Sequence, residues 1–125
     1  MLKRILVADD QPLARELLVA ILSHNGYVVE EAIDGRDAVR RAVASLPDLI
    51  LLDIQMPGLN GFEVCRELRS EACLARIPIV AVTASLMGNE KERALAAGFS
   101  DFLSKPVSAV AVRKLVAGLL YPQPS

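Results

Sequence analysis

Five residues stand where short apolar runs give way to polar chain, and their types fit one chemistry. Asp9 and Asp10 follow Ile5-Leu6-Val7-Ala8, Asp53 follows Leu49-Ile50-Leu51-Leu52, Thr83 follows the run ending at Val82, and Lys105 follows Asp101–Leu103. If those runs are strands of one parallel sheet, three carboxylates, a hydroxyl and an ammonium converge at one edge. Three such carboxylates repel: two unit charges about 5 Å apart cost roughly 3 kcal/mol at an effective dielectric near 20. A raised carboxyl pKa would offset this, and so would a hard divalent cation with oxygen ligands such as Mg²⁺. A carboxylate in that setting can attack phosphorus. Lys105 and a cation would then stabilise the equatorial oxygens of the transferring group, with a hydrogen bond from Thr83. The product of that chemistry is an aspartyl phosphate.

The elements that must position these groups are legible in the pattern. Ile5–Ala8 is a continuous apolar run, as a buried parallel strand should be. Asp10 and Pro12 signal a helix start, and the helix carries Leu13, Leu17, Ala20 and Ile21 to an Asn25-Gly26 stop. Tyr27 to Ala32 reads as a second strand. Its Glu30 and Glu31 place it at an edge, and no chemical group comparable to the others ends it. Asp34 caps a helix with Ala38, Val39, Ala42, Val43 and Leu46 on one face, stopped by Pro47. Leu49–Leu52 is the most apolar strand and should be central. Asn60 with Glu63 is a capping pair for a helix with Val64, Cys65 and Leu68 inward. Ile77 to Val82 is the fourth strand, Asn89 to Ala97 a helix closed by Gly98, and Asp101 to Leu103 the fifth strand. Ser108 caps a last helix ending near Leu120, and residues 121–125 read as a frayed tail. Strict alternation of strand and helix implies an α/β fold, a doubly wound parallel sheet with helices on both faces. Ligands in such folds bind at the carboxyl ends of the strands.

Composition excludes several classes. The chain has 125 residues, the size of one domain, and 53% are hydrophobic against 23% charged, so it is no disordered segment. With 14 Lys+Arg against 15 Asp+Glu it has no excess of basic charge for direct nucleic-acid binding. No apolar run approaches the roughly 20 residues of a membrane span, and Asp9-Asp10 cut short the only stretch resembling a signal peptide. The N-terminus therefore reads as the first strand of a cytoplasmic protein. Cys65 and Cys73 form no metal-binding spacing, and one histidine is too few for zinc. His24 reads as a helix-end cation, Met56 and Met87 as packing, and Lys91, Glu92 and Arg93 as a solvated face.

Taken together, Ile5-Leu6-Val7-Ala8-Asp9-Asp10, Leu51-Leu52-Asp53-Ile54-Gln55-Met56-Pro57 with Gly61, Val82-Thr83-Ala84 and Lys105-Pro106 resemble a known family. They are similar to the receiver domain of bacterial two-component response regulators, of the CheY-like chemotaxis-regulator type, over about residues 3–120. The resemblance implies a five-stranded flavodoxin-like sheet of order 2-1-3-4-5 and one receiver domain over residues 1–125. It implies Asp53 as phosphoacceptor, with Mg²⁺ held by Asp10, Asp53 and the Gln55 backbone carbonyl, and by Asp9 through a water. It implies that Thr83 and Lys105 contact the phosphoryl group and that the Lys105–Pro106 bond is cis. Ala84 has the small side chain preferred where the phosphoryl group enters, and Gln55 and Ser85 flank the approach of hydrolytic water. Phe102 matches the aromatic switch position. Tyr or His is commoner there, so a hydrogen bond from this ring is ruled out, and ring rotation remains.

Its partners would be a sensor histidine kinase or histidine phosphotransfer protein, and a downstream protein met by the fourth helix, fifth strand and fifth helix. On a helical wheel Val112, Leu115, Val116 and Leu119 face inward, with Val110, Lys114, Ala117 and Tyr121 opposite. Val110 and Tyr121 would then border the output patch beside Phe102. Met1 directly before the first strand favours a naturally short chain over the alternative, a receiver excised from a larger hybrid kinase or regulator. Two other functions compete. A Mg²⁺-dependent phosphatase would use an Asp-x-Asp pair, but residue 55 is Gln. A phosphorylation-independent binding module would have lost acidic or Lys residues that this chain keeps.

Overall fold

The computed structural model describes residues 2–56, 60–84 and 89–122. The elements are β1 (Arg4–Ala8), α1 (Pro12–His24), β2 (Val28–Ala32), α2 (Gly35–Ser45), β3 (Leu49–Asp53), α3 (Gly61–Ser70), a 3-10 turn (Ala72–Leu74), β4 (Ile79–Thr83), α4 (Glu90–Ala97), β5 (Asp101–Ser104) and α5 (Ala109–Leu120). Every strand pair is parallel and the order is β2-β1-β3-β4-β5, the flavodoxin-like order expected.

Alternation along the strands divides the core in two. Leu6, Ala8, Ile50, Leu52, Ile79 and Ala81 face α2, α3 and α4. Ile5, Val7, Leu49, Leu51, Val80 and Val82 face α1 and α5 through Leu18, Leu22, Val112 and Val116. All five residues of β3 and of β4 are buried, so these strands are apolar on both sides. Each large aliphatic side chain sealed there contributes about 1.5–3 kcal/mol. Asn60 caps α3 by accepting from Glu63 N–H at 3.0 Å, and Ser108 caps α5 by accepting from Ala111 N–H at 3.0 Å.

Several boundaries differ from the sequence reading, each for a local reason. The cap of α1 is Gln11, with Pro12 in the first turn; the Asp9 carboxylate, not Asp10, takes the Gln11 N–H. Leu13 and Leu17 are exposed, and Leu18 and Leu22 are buried instead, because the helix turns its other stripe to the sheet. Val43 and Leu46 are also exposed; Leu46 has left the helix in a left-handed conformation, φ 49°. Strand β2 starts at Val28, since Tyr27 N–H is spent on Leu22 carbonyl at the end of α1. Strand β4 starts at Ile79, since the Ile77 carbonyl accepts from Arg69 rather than joining the ladder. That guanidinium also reaches the Gly98 carbonyl, at 2.9 Å, and a Cβ on Gly98 would meet the Arg69 side chain at 2.9 Å. Gly98 further has φ 108°, which an L side chain resists, so two demands select glycine at the end of α4.

Asp37 supplies a check on the structural charges. It is nearly buried, accepts from Ile33 N–H at 3.1 Å, and pairs with Arg40 and, at 3.1 Å, with Arg41. Burial alone would raise its carboxyl, but these hydrogen bonds outweigh burial and hold it below the usual carboxylate range. Its stabilising contribution is therefore complete above the unfolded carboxyl pKa of about 4 and is lost as pH falls through the lower folded value. Asp37→Asn is expected to cost about 1–2 kcal/mol at neutral pH, and the cost should shrink below pH 4. Urea unfolding at two pH values measures both; an equal cost at both would show that the charge contributes nothing.

Candidate functional site

The register brings the chemical residues to one edge. Ala8 pairs with Leu52, Asp53 with Val82, and Thr83 with Ser104, so Asp9, Asp53, Thr83 and Lys105 finish neighbouring strands at one level. One carboxylate oxygen from each of Asp9, Asp10 and Asp53 lies within 4.8 Å of the others. Asp9, Asp53 and Thr83 are buried and Asp10 is half-buried. Lys105 Nζ lies 3.0 Å from Asp53 Oδ2 and 3.3 Å from Asp9 Oδ2. Its backbone is held too, because Lys105 N–H donates to the Thr83 carbonyl at 2.7 Å. The Lys105–Pro106 peptide bond is cis.

Asp53 is engaged at both oxygens: Oδ1 accepts from Gln55 N–H at 2.9 Å and Oδ2 from Lys105. The Gln55 side chain is exposed and is no member of the acidic group. Asp9 Oδ1 accepts from Gln11 N–H at 2.9 Å, whereas its buried Oδ2 makes no hydrogen bond and lies 3.3 Å from Lys105 Nζ. Burial raises the Asp9 pKa and the Asp53 charge adds to this, against the Gln11 N–H and Lys105. Burial would lower the Lys105 pKa, but the hydrogen bond and charge of Asp53, then those of Asp9, raise it above the ordinary lysine value. The site is thus under-compensated: three carboxylates cluster, and the Lys105 ammonium pairs with two of them.

Gly61 lets α3 close the site. Its N–H donates to the Ile54 carbonyl at 3.2 Å, and a Cβ would lie 2.3 Å from Ile54 Cα, an impossible contact. Only glycine allows the helix to abut the residue that follows Asp53.

Donor set and burial fit a hard cation. Carboxylate oxygens are the ligands such an ion takes, and a buried oxygen without a hydrogen bond is one that such an ion or its water would satisfy. Three clustered carboxylates with a lysine ammonium against two of them are what the site shows. The family model for the response regulator receiver domain matches residues 5–117. The chain belongs to the response regulator receiver domains.

It is 44% identical to the response regulator PleD of Caulobacter vibrioides over 107 residues, which are 86% of this chain but only 24% of PleD. Among solved structures, chemotaxis response regulator CheY4 of Vibrio cholerae superposes with a TM-score of 0.91 at 29% identity, covering 96% of this chain and all of that one. The receiver domain of sensor histidine kinase PA1611 from Pseudomonas aeruginosa PAO1 gives 0.89 at 32% identity, over 96% and 98% of the two chains, and holds a magnesium ion in its active site cleft.

Away from the acidic group, the structure revises some placements. Phe102 is half-buried on β5, with Lys91 Nζ over its ring at 5.9 Å. Arg93 likewise lies over Phe62, 4.5 Å from the ring centre, so the charged face of α4 also covers aromatic rings. A groove of about 560 Å³ beside Phe102 is lined by Asp101, Ala111, Lys114, Leu115 and Gly118. Val110 is exposed but does not line it. Tyr121 is no border of it and no frayed residue: its N–H reaches the Ala117 carbonyl and its ring lies under Lys3, which precedes β1. Cys65 is buried, which pushes its thiol up to about 11, and Cys73 is exposed. Ser85 and Met87 lie outside the described residues. Arg15 and Asp37 escaped the sequence reading, because a lone Arg or Asp on a helix carries no pattern of its own.

Proposed function

We propose that this receiver is a phosphorylation-operated signalling switch in which Asp53 takes a phosphoryl group from a histidine kinase or histidine phosphotransfer protein. The observation that carries it is the buried Asp53 carboxylate, paired with Lys105 at 3.0 Å beside two further carboxylates. An Asp53 oxygen forms the new bond to phosphorus while the bond from phosphorus to the donor nitrogen breaks, its electron pair leaving with the imidazole. Lys105 Nζ moves from the carboxylate to a phosphoryl oxygen, and the Thr83 hydroxyl donates to another. Asp10, Asp53 and the Gln55 carbonyl would hold Mg²⁺, with Asp9 acting through a water. The ion, when bound, neutralises charge on the carboxylates and on the incoming oxygens.

A cavity of about 390 Å³ opens beside the site between Lys105, Pro106, Val107 and α1, where Leu17 is half-exposed and the neighbouring Leu13 is more so. This apolar rim next to the acceptor suits the donor protein. No described helix is long and apolar enough to cross a membrane; the reading places the domain in the cytoplasm. A phosphatase is disfavoured because Gln55 stands where the second acid of that pair belongs, and only its N–H serves Asp53.

The output face would be α4, β5 and α5. Thr83 stands at the end of β4, and its neighbour on β5 follows Phe102 by two residues. Drawing the Thr83 hydroxyl to a phosphoryl oxygen frees space into which the Phe102 ring can turn, a two-state packing change biased by differential contacts. Beryllofluoride with Mg²⁺ mimics the phosphoryl group. Amide shift mapping should show changes at residues 9, 10 and 53 that extend through 89–120. Shifts confined to the acidic group would overturn the output assignment, and no shifts at all would overturn the phosphoacceptor reading.

A further inference from the structure

Asp10 poses a physical question: what aims its carboxylate? Among the described residues no hydrogen bond or ion pair holds that side chain. Its direction is then set by the backbone at the end of β1. That backbone is braced at two points. Asp9 N–H donates to the Ala32 carbonyl at 3.2 Å, continuing the ladder to β2. The Asp9 carbonyl, which belongs to the peptide unit joining Asp9 to Asp10, accepts from Arg15 Nη1 at 2.8 Å.

Arg15 is itself fixed. It sits in the second turn of α1, its side chain is only 15% exposed, and its Nε pairs with Glu31 Oε1 on β2 at 3.0 Å. The planar guanidinium therefore spans α1, the end of β1 and β2 with one fork, one nitrogen on the carbonyl and another on the carboxylate. A lysine ammonium is a compact point charge and lacks that two-direction geometry. Arg15 also brings a permanent positive charge to a peptide flanked by two acidic side chains, opposing the repulsion that would turn Asp10 away.

We infer that Arg15, held by Glu31, is a positioning residue that aims Asp10 at the cation site through the Asp9 carbonyl. This rests on the reading of Asp9, Asp10 and Asp53 as a Mg²⁺-dependent phosphoacceptor site. It predicts that Arg15 acts on metal affinity although it touches neither metal nor phosphoryl group.

The test measures Mg²⁺ affinity by amide shift titration of the unphosphorylated chain, alongside labelling by acetyl phosphate. Removing an outer partner of a metal ligand typically weakens binding 10–100-fold; Arg15→Met is expected to weaken Mg²⁺ binding about tenfold. Arg15→Lys should fall between Arg15→Met and the parent chain, and Glu31→Gln, which keeps an acceptor for Arg15, should cost about threefold or less, within the charge-pair range of an exposed partner. Labelling at saturating Mg²⁺ should recover most of its rate in Arg15→Met, because the defect is in holding the ion. A helix–sheet brace without a positioning role would lower the urea midpoint and leave the Mg²⁺ constant of the folded variant unchanged; that result overturns the inference. Should Arg15→Met not fold, the same comparison is made with Arg15→Lys, where an unchanged Mg²⁺ constant again overturns it. If the parent chain binds Mg²⁺ but is not labelled, the phosphoacceptor reading fails while the Arg15 comparison still stands. A parent chain that binds no Mg²⁺ overturns both.

Discussion

Acetyl phosphate with Mg²⁺ is expected to add about 80 Da to the intact chain, the mass of one phosphoryl group on a carboxylate, and Asp53→Asn is expected to add none. The substitution keeps the shape of the side chain and removes the nucleophilic charge. Asp10 and Asp9 cannot substitute. Asp10 lies outside the reach of the ammonium, which is 3.0 Å from Asp53 and 3.3 Å from Asp9. Asp9 is sealed at 0% exposure, so a donor cannot reach its oxygens. Asp53→Asn also removes one of three repelling charges and leaves Lys105 to pair with Asp9 alone. Its thermal midpoint without Mg²⁺ should therefore equal or exceed that of the parent chain, so loss of labelling cannot be ascribed to unfolding. Intact-mass spectrometry and a melting curve read both outcomes. Full labelling of Asp53→Asn would place the acceptor elsewhere.

The sheet and its order were legible because each strand is a short apolar run and each helix carries a stripe, so local pattern and global fold agree. The site was legible for the same reason: Asp9, Asp53, Thr83 and Lys105 each interrupt an apolar run at its end, and a parallel sheet aligns those ends without further information. Helix faces were read less well. On α1 the leucines at 13, 17, 18 and 22 supply two competing stripes, and only tertiary packing chooses Leu18 and Leu22. Arg15 shows a deeper limit. Its role depends on a carbonyl, and a carbonyl is the same at every residue, so no choice of side-chain types announces it. Tyr121 shows a related limit: the wheel placed it outward and it is exposed, but the Lys3 ammonium over its ring comes from the opposite end of the chain.

Lys105 carries the sharpest dissociation between binding and chemistry. Replacing it by Met removes the one ammonium that faces Asp9 Oδ2 and Asp53 Oδ2. A positive charge about 5 Å from a bound divalent cation opposes it by roughly 1.7 kcal/mol even at the dielectric of water, so Lys105→Met should bind Mg²⁺ about tenfold more tightly. In the proposed transfer the same ammonium moves to a phosphoryl oxygen, and losing one such contact typically costs 10²–10³-fold in rate. Labelling by acetyl phosphate should therefore slow about a hundredfold at saturating Mg²⁺ while affinity for the ion rises. Loss of both together would mean that Lys105 only holds the site's shape. The pH dependence of stability supplies an independent sign. The Lys105 pKa is raised in the folded chain by Asp53 and Asp9 despite burial. Its contribution is thus fully present below the unfolded lysine pKa of about 10.4 and disappears as pH rises through the higher folded value. The parent chain should lose stability across that alkaline window, and Lys105→Met should lose less there. Mg²⁺ should restore the variant more than the parent, because in the variant the ion replaces the ammonium that offset Asp9 and Asp53.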